Sequence, residues 1–306
     1  MSLAPSIAAP RQGFNPLPLL IALFCLLWSY AFIAGKIGVT DCPPLILLTA
    51  RFSLAGILIL GFLALRREGW QLSWRDVAVY SVLGVANNAL YLGLGYTGLK
   101  TVSAGIGGLI VSANPVFTAV LAALFLGEVL TWRKVAGLTL GVAGVAFIVW
   151  HRLSVGTEHM EGIVFTLASL ASIVTGTILF KLLSPKGSLW VGNGIQNLAG
   201  GLALLPFAFA LSSVSEIVPS ARLLGAFAFL VFGGSILAYA LWFHLLKVCG
   251  ATAASAYHFL MPPLGMLFAF LVLGEHVESR DLLGIIPVAL GIYLVTRPTA
   301  APASRA

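Results

Sequence analysis

Charge is what this sequence has least of. Of its 306 residues only 9% are Asp, Glu, Lys or Arg, 59% are hydrophobic, and the mean hydropathy is +1.03. Soluble domains carry about a quarter charged residues, so no water-facing fold fits. The three cysteines, Cys25, Cys42 and Cys249, are odd in number and imply no disulfide framework. There is no Cys/His cluster, no His-Glu-x-x-His spacing and no pair of carboxylates within an apolar run, which removes metal sites and the common hydrolase arrangements. Gly105-Ile106-Gly107-Gly108 lies inside an apolar run and not after a strand, so it is no phosphate loop. Lys and Arg do not cluster on a polar face, and no nucleic-acid partner is implied. The chain reads as neither an enzyme nor a cofactor protein.

Long apolar runs are what it has instead. Ten fall near 17–35, 44–65, 76–97, 101–126, 132–150, 162–182, 189–211, 221–245, 251–273 and 280–296. Each is about long enough to cross roughly 30 Å of hydrocarbon as a helix, which makes the lipid bilayer the partner of the whole chain. The first run is longer than a signal-peptide core and lacks a small-residue cleavage site after it, so it reads as a span. With the N-terminus inside, eleven Lys and Arg fall on inside segments against five outside, and Arg51 sits within a span. That bias predicts a multi-pass protein of the cell (inner) membrane with both termini cytoplasmic. Residues 1–16 and 298–306 read as cytoplasmic tails.

The chain also repeats itself. An offset of 147 residues carries Leu99-Lys100 onto Leu246-Lys247, Pro115 onto Pro262, Gly127-Glu128 onto Gly274-Glu275, Arg133 onto Arg280 and Gly144 onto Gly291. The units are 17–150 and 162–297, joined by a polar extracytoplasmic connection at 151–161. Five spans per unit is an odd number, so the second unit enters the membrane from the opposite side. The predicted fold is therefore all-α, ten transmembrane helices as two inverted five-helix repeats, an arrangement suited to alternating access.

Polar and aromatic residues inside the runs are the candidate site. Trp28 and Tyr30 lie deeper than an interfacial belt requires and read as either ligand contacts or packing. Gly84, Asn88, Tyr91 and Gly95 recur at helical spacing, so Asn88 and Tyr91 read as either cavity lining or an interhelical pair. Ser235, Tyr239 and Trp242 share a face of span eight, where Trp242 reads as either a ligand contact or an interfacial anchor, and His258, before the double proline of span nine, reads as either a titratable site group or a satisfied core histidine. Pro115, Pro262 and Pro263 remove backbone donors near mid-membrane and are candidate hinges. Three residues read as structural: Arg51, tied to loop carbonyls or Asp41, and Glu128 and Glu275, each capping the next helix. The aromatic set suits a small neutral or zwitterionic substrate with an apolar portion.

Four stretches carry a family resemblance: Leu27-Trp28-Ser29-Tyr30 through Gly35-Lys36, Ala50-Arg51-Phe52, Asn114-Pro115-Val116-Phe117 to Gly127-Glu128, and Met261-Pro262-Pro263 to Gly274-Glu275. On these the chain resembles the EamA (RhaT-like) family of the drug/metabolite transporter superfamily over residues 17 to 297. The resemblance implies a ten-helix inverted-repeat carrier of small metabolites, its cavity lined by helices one, three, four, six, eight and nine. Export of amino acids or related compounds is favoured, with a proton or ion as candidate coupling partner. A channel-like facilitator or a multidrug exporter of the same fold is the alternative. Met261 and the extra Pro263 depart from the simpler pattern of the first repeat.

Overall fold

A computed structural model of the protein describes residues 15–67, 72–154, 158–276 and 279–296. The tails at 1–14 and 297–306 lie outside the described residues. Among those described, the helices group into ten stretches with no strand. They are α1 (Leu17–Asp41), α2 (Pro44–Arg66), α3 (Trp74–Gly98), α4 in two halves (Ala104–Val111 and Asn114–Leu126), α5 (Trp132–Ser154), α6 (Met160–Leu183), α7 (Leu189–Leu211), α8 (Ala221–Cys249), α9 (Ala251–Leu273) and α10 (Ser279–Thr296). Seven of them, α1, α2, α3, α6, α7, α8 and α9, are long and apolar enough to cross a membrane. The polar stretch 151–161 is not all connection, because α5 runs on to Ser154 and α6 begins at Met160.

The packing exchanges the two halves of the chain. In the first half α3 and the second half of α4 pack on α6; in the second half α8 and the second part of α9 pack on α1. Equivalent helices also pair with each other, α2 with α7 and α5 with α10. The α5–α10 contact is close because Gly137 and Gly291 face each other's backbone; a Cβ on Gly137 would lie 2.7 Å from the Gly291 carbonyl oxygen. The halves even start alike. Ser73 caps α3 and Ser220, 147 residues on, caps α8.

Three helices are not regular α-helix throughout. Wider π turns occupy Val85–Leu90 in α3, Leu230–Ala238 in α8 and Ala269–Leu273 at the end of α9. Each inserts an extra residue into the turn and rotates the helix beyond it, a common device where a helix must present functional groups. The prolines act differently. Pro115 sits in the first turn of the second half of α4, after a break at Ser112-Ala113, and Pro262-Pro263 open the α-helical segment Met261–Phe268 after the tight 3-10 turn Tyr257–Leu260. A first-turn proline gives up a donor that has no intrahelical partner there. The prolines therefore begin half-helices; they do not bend continuous ones.

Candidate functional site

The two broken helices cross at their breaks. The first half of α4 packs on the part of α9 after the prolines, and its second half packs on Ala251–Ala256. Against this crossing α1 contributes Phe24 and Trp28, α3 contributes Tyr91, α8 contributes Tyr239 and Trp242, and α9 contributes His258. All six are buried. Trp28 is the hub, with ring centroids 5.2 Å from Tyr239, 5.5 Å from His258, 5.9 Å from Trp242 and 6.5 Å from Tyr91. The Trp242 and His258 rings meet edge to face at 4.8 Å, and Phe24 stacks on Trp242 at 5.7 Å. His258 holds the Ser255 carbonyl oxygen through Nδ1 at 3.1 Å, while its Nε2 has no hydrogen-bond partner among the described residues.

Five of the seven aromatic and polar candidates thus meet in one cluster, and two do not. Tyr30 points away from it and packs edge-on against Phe229 at 4.7 Å and Phe268 at 5.5 Å. Asn88 faces α7, where its amide nitrogen reaches the Asn197 oxygen at 3.4 Å. The π turn splits the face on which Asn88 and Tyr91 were placed by α-helical spacing. Gly84 and Asn88 abut Gln196 and Gly200 of α7, whereas Gly95 abuts Ser169 of α6. The backbone of this stretch meets the cluster instead, the Asn87 carbonyl oxygen accepting the Tyr239 hydroxyl at 2.7 Å, while the Asn87 side chain reaches Gln196 of α7 at 3.4 Å.

Arg51 also departs from its expected tie. It is 2% exposed, and Asp41 is taken by Ser220 at 2.7 Å and Arg222 at 3.1 Å. Arg51 turns into the bundle instead, donating from Nε to Ser235 Oγ at 2.8 Å and from Nη1 to the Tyr96 hydroxyl at 2.9 Å. Tyr96 and Gly234, absent from the sequence-based set, complete its surroundings. No spacing rule could have found them, since Gly234 belongs to the π turn of α8 and Tyr96 is one of several polar groups in α3.

Arg51, Tyr96, Gly234, Trp28, Tyr91 and Tyr239 line a single cavity of about 30 Å³. Ligand sites for small molecules run from roughly 300 Å³ upward, so the centre is closed in this conformation. A larger apolar cavity of about 580 Å³ lies between α2 and α8 at the periphery. We take the small central one as the site, because the polar groups and aromatic rings from four helices converge there.

Both ends of the crossing are clamped, and by equivalent residues. At one end Lys36 donates to the carbonyl oxygens of Leu99 at 2.7 Å and Val102 at 2.8 Å. Glu275 accepts from the backbone of Ala104 at 3.2 Å and Gly105 at 3.4 Å, and Glu158 accepts from Ser103 N at 2.9 Å and Oγ at 2.6 Å. At the other end Lys181 donates to the Leu246 carbonyl at 3.3 Å, and Glu128 accepts from the Thr252 hydroxyl. Each glutamate follows a glycine in the left-handed conformation, Gly127 or Gly274, both at φ 67°. Both glutamates reach the broken helix of the opposite repeat and not the next helix in sequence: Glu275 caps it through two backbone N–H groups, and Glu128 accepts from the Thr252 side chain. Among the described residues no group of His, Cys, Asp and Glu is placed to hold a metal ion.

Known proteins resemble the chain along nearly its full length. The model of the EamA-like transporter family matches twice, over residues 16–150 and 160–297. An uncharacterised transporter of Synechocystis is 29% identical, covering 91% of this chain and 88% of that protein. An S-adenosylmethionine/S-adenosylhomocysteine transporter of Chlamydia muridarum is 27% identical over 90% of each chain. A probable terminal-alkyne amino-acid exporter of Streptantibioticus cattleyicolor is 26% identical, covering 91% of this chain and 93% of that one. One protein of known crystal structure superposes with a TM-score of 0.72 at 18% identity, covering 91% of this chain and 96% of the other.

Proposed function

Because the chain belongs to the EamA-like transporter family, we propose that it exports amino acids or closely related zwitterions by alternating access of its two repeats. The observation that carries this reading is the closed aromatic cluster around Trp28, held between two helices broken at equivalent positions. Aromatic walls fit an apolar side chain, and the cation of Arg51 fits the acidic end of a zwitterion. The two named relatives point the same way, one by its name an amino-acid exporter and the other a carrier of an amino-acid derivative. Equivalent clamps at both ends suit a carrier that opens one side at a time better than a continuous pore.

Reconstitution in liposomes tests this reading. Labelled L-phenylalanine should enter vesicles preloaded with unlabelled phenylalanine, faster than into empty ones, and entry should saturate. Linear uptake without counterflow would instead mark a channel-like facilitator. Uptake confined to lipophilic cations would mark a multidrug exporter.

The excess of Lys and Arg on one set of connections supports cytoplasmic termini and an extracytoplasmic α5–α6 connection. In a variant with Cys25, Cys42 and Cys249 replaced by alanine, His159→Cys should react with an impermeant maleimide on intact cells and Lys186→Cys should not. The reverse pattern would invert the orientation.

A further inference from the structure

Arg51 is a buried cation with no anionic partner among the described residues. Among the described residues its hydrogen-bond partners are two neutral hydroxyls, Ser235 Oγ and Tyr96 OH, and the rest of the guanidinium faces the Phe52 and Tyr96 rings at 5.2 and 5.8 Å. A guanidinium has five N–H donors, so two bonds leave most of its capacity unused. A purely structural arginine in an apolar bundle is ordinarily matched by a carboxylate, because an uncompensated buried charge is costly. None is supplied here.

The surroundings are shaped around the guanidinium. Nη2 lies so close to Gly234 that a Cβ there would be 2.7 Å away, and the π turn Leu230–Ala238 brings Gly234 and Ser235 together against it. Arg51 lines the same cavity as Trp28, Tyr91 and Tyr239. The Tyr96 hydroxyl is poorly occupied elsewhere, with only the Ala31 carbonyl oxygen at 3.5 Å, and so can turn its proton to an incoming acceptor.

We propose that Arg51, with the Tyr96 and Ser235 hydroxyls, forms a carboxylate subsite, so that a substrate must carry a carboxylate group beside its apolar portion. The inference rests on the amino-acid reading above and makes it narrower. In the closed conformation the hydroxyls screen the cation; when one end opens, the carboxylate takes its free donors while the apolar portion meets Trp28 and Tyr91. Hydrogen bonds to a charged group are worth about 1.5–3 kcal/mol, which corresponds to a preference of at least tenfold for an acid over its amide.

Binding of matched compounds to the purified protein, read as a rise in melting point, tests the subsite. The probes are the standard amino acids, each paired with its primary amide, together with 3-phenylpropionate and phenethylamine. The acids and 3-phenylpropionate should stabilise the protein, and the amides and phenethylamine should not. The acid preference should fall from about tenfold or more to about one in Arg51→Gln and survive in part in Arg51→Lys. Should Arg51→Gln not fold, Tyr96→Phe removes one hydroxyl of the subsite without removing the cation, and it should reduce the preference several-fold. Amides that bind as well as their acids would overturn the subsite and leave the carrier reading standing. Silence from every pair, acids and amides alike, would overturn the amino-acid reading and the subsite together.

Discussion

Glu275→Gln should open the protein at the Lys36 end, and Glu128→Gln should open it at the Lys181 end. Each carboxylate closes one end by holding the start of a broken helix that belongs to the other repeat: Glu275 on Ala104 and Gly105, Glu128 on Thr252. The start of a helix carries unpaired N–H groups and a partial positive charge, so an anion there is favoured twice over. Replacing it by a neutral amide should remove about 2 kcal/mol from one closed end and leave the other untouched. That is a shift of more than tenfold in the ratio of open to closed at that end. Both variants should then carry substrate at a small fraction of the normal rate, because a carrier locked towards one side cannot complete its cycle. Ile106→Cys and Ala254→Cys, both buried and lying one and two residues beyond the clamped Gly105 and Thr252, serve as reporters of thiol reactivity. The first should become reactive only with Glu275→Gln and the second only with Glu128→Gln. If both substitutions exposed the same reporter, the glutamates would be structural caps and not gates.

The lysines give the two ends a second layer. Lys36 holds the Leu99 carbonyl and Lys181 holds that of Leu246, and these two leucines are themselves 147 residues apart. Lys36 also reaches the Val102 carbonyl just before the first half of α4, whereas Lys181 holds the last turn of α8 alone. A helix C-terminus offers carbonyl oxygens and partial negative charge, which suits an ammonium as the N-terminus suits a carboxylate. The two ends share a lysine and a glutamate at corresponding places, but the Lys36 end is held by more hydrogen bonds, because Lys36 meets two carbonyl oxygens and Glu158 joins it at Ser103.

What could be read from the sequence was whatever depends on composition and register. The apolar runs, the 147-residue offset and the places of Pro115 and Pro262 needed no knowledge of contacts. Trp28, Tyr91, Tyr239, Trp242 and His258 could be selected because a large polar-tipped ring in mid-span is rare without a reason. The π turns could not. Val85-Ala86-Asn87-Asn88 has nothing to mark it, yet its π turn sends both asparagine side chains to α7 and leaves the Asn87 carbonyl oxygen to accept the Tyr239 hydroxyl. Long-range partners were hidden for a different reason. Glu275 and Gly105 are 170 residues apart, Arg51 and Ser235 are 184 apart, and local spacing says nothing of such pairs. Asp41 was the obvious anion for Arg51 along the chain, but Ser220 and Arg222 reach it first.

The prolines lead to the second large effect, and the two repeats should differ in it. In α4 a single residue, Pro115, denies a donor to the Val111 carbonyl, at a cost of roughly 3 kcal/mol were the helix continuous. Pro115→Ala restores that donor. The halves Ala104–Val111 and Asn114–Leu126 can then fuse across Ser112-Ala113, straightening α4 where it crosses α9. In α9 two prolines stand in series, denying donors to the carbonyls of His258 and Phe259. Pro262→Ala restores only the first, and Pro263 still prevents the continuous helix. The expected result is that Pro115→Ala alone shifts the Ile106→Cys and Ala254→Cys reporters and lowers transport about tenfold or more. Pro262→Ala alone should do little. The double substitution at 262 and 263 should shift the reporters as strongly as Pro115→Ala but in the opposite sense, because the two helices cross the membrane in opposite directions. Reporters that move in the same sense in both cases would show that the breaks shape the central cluster without governing which end is open.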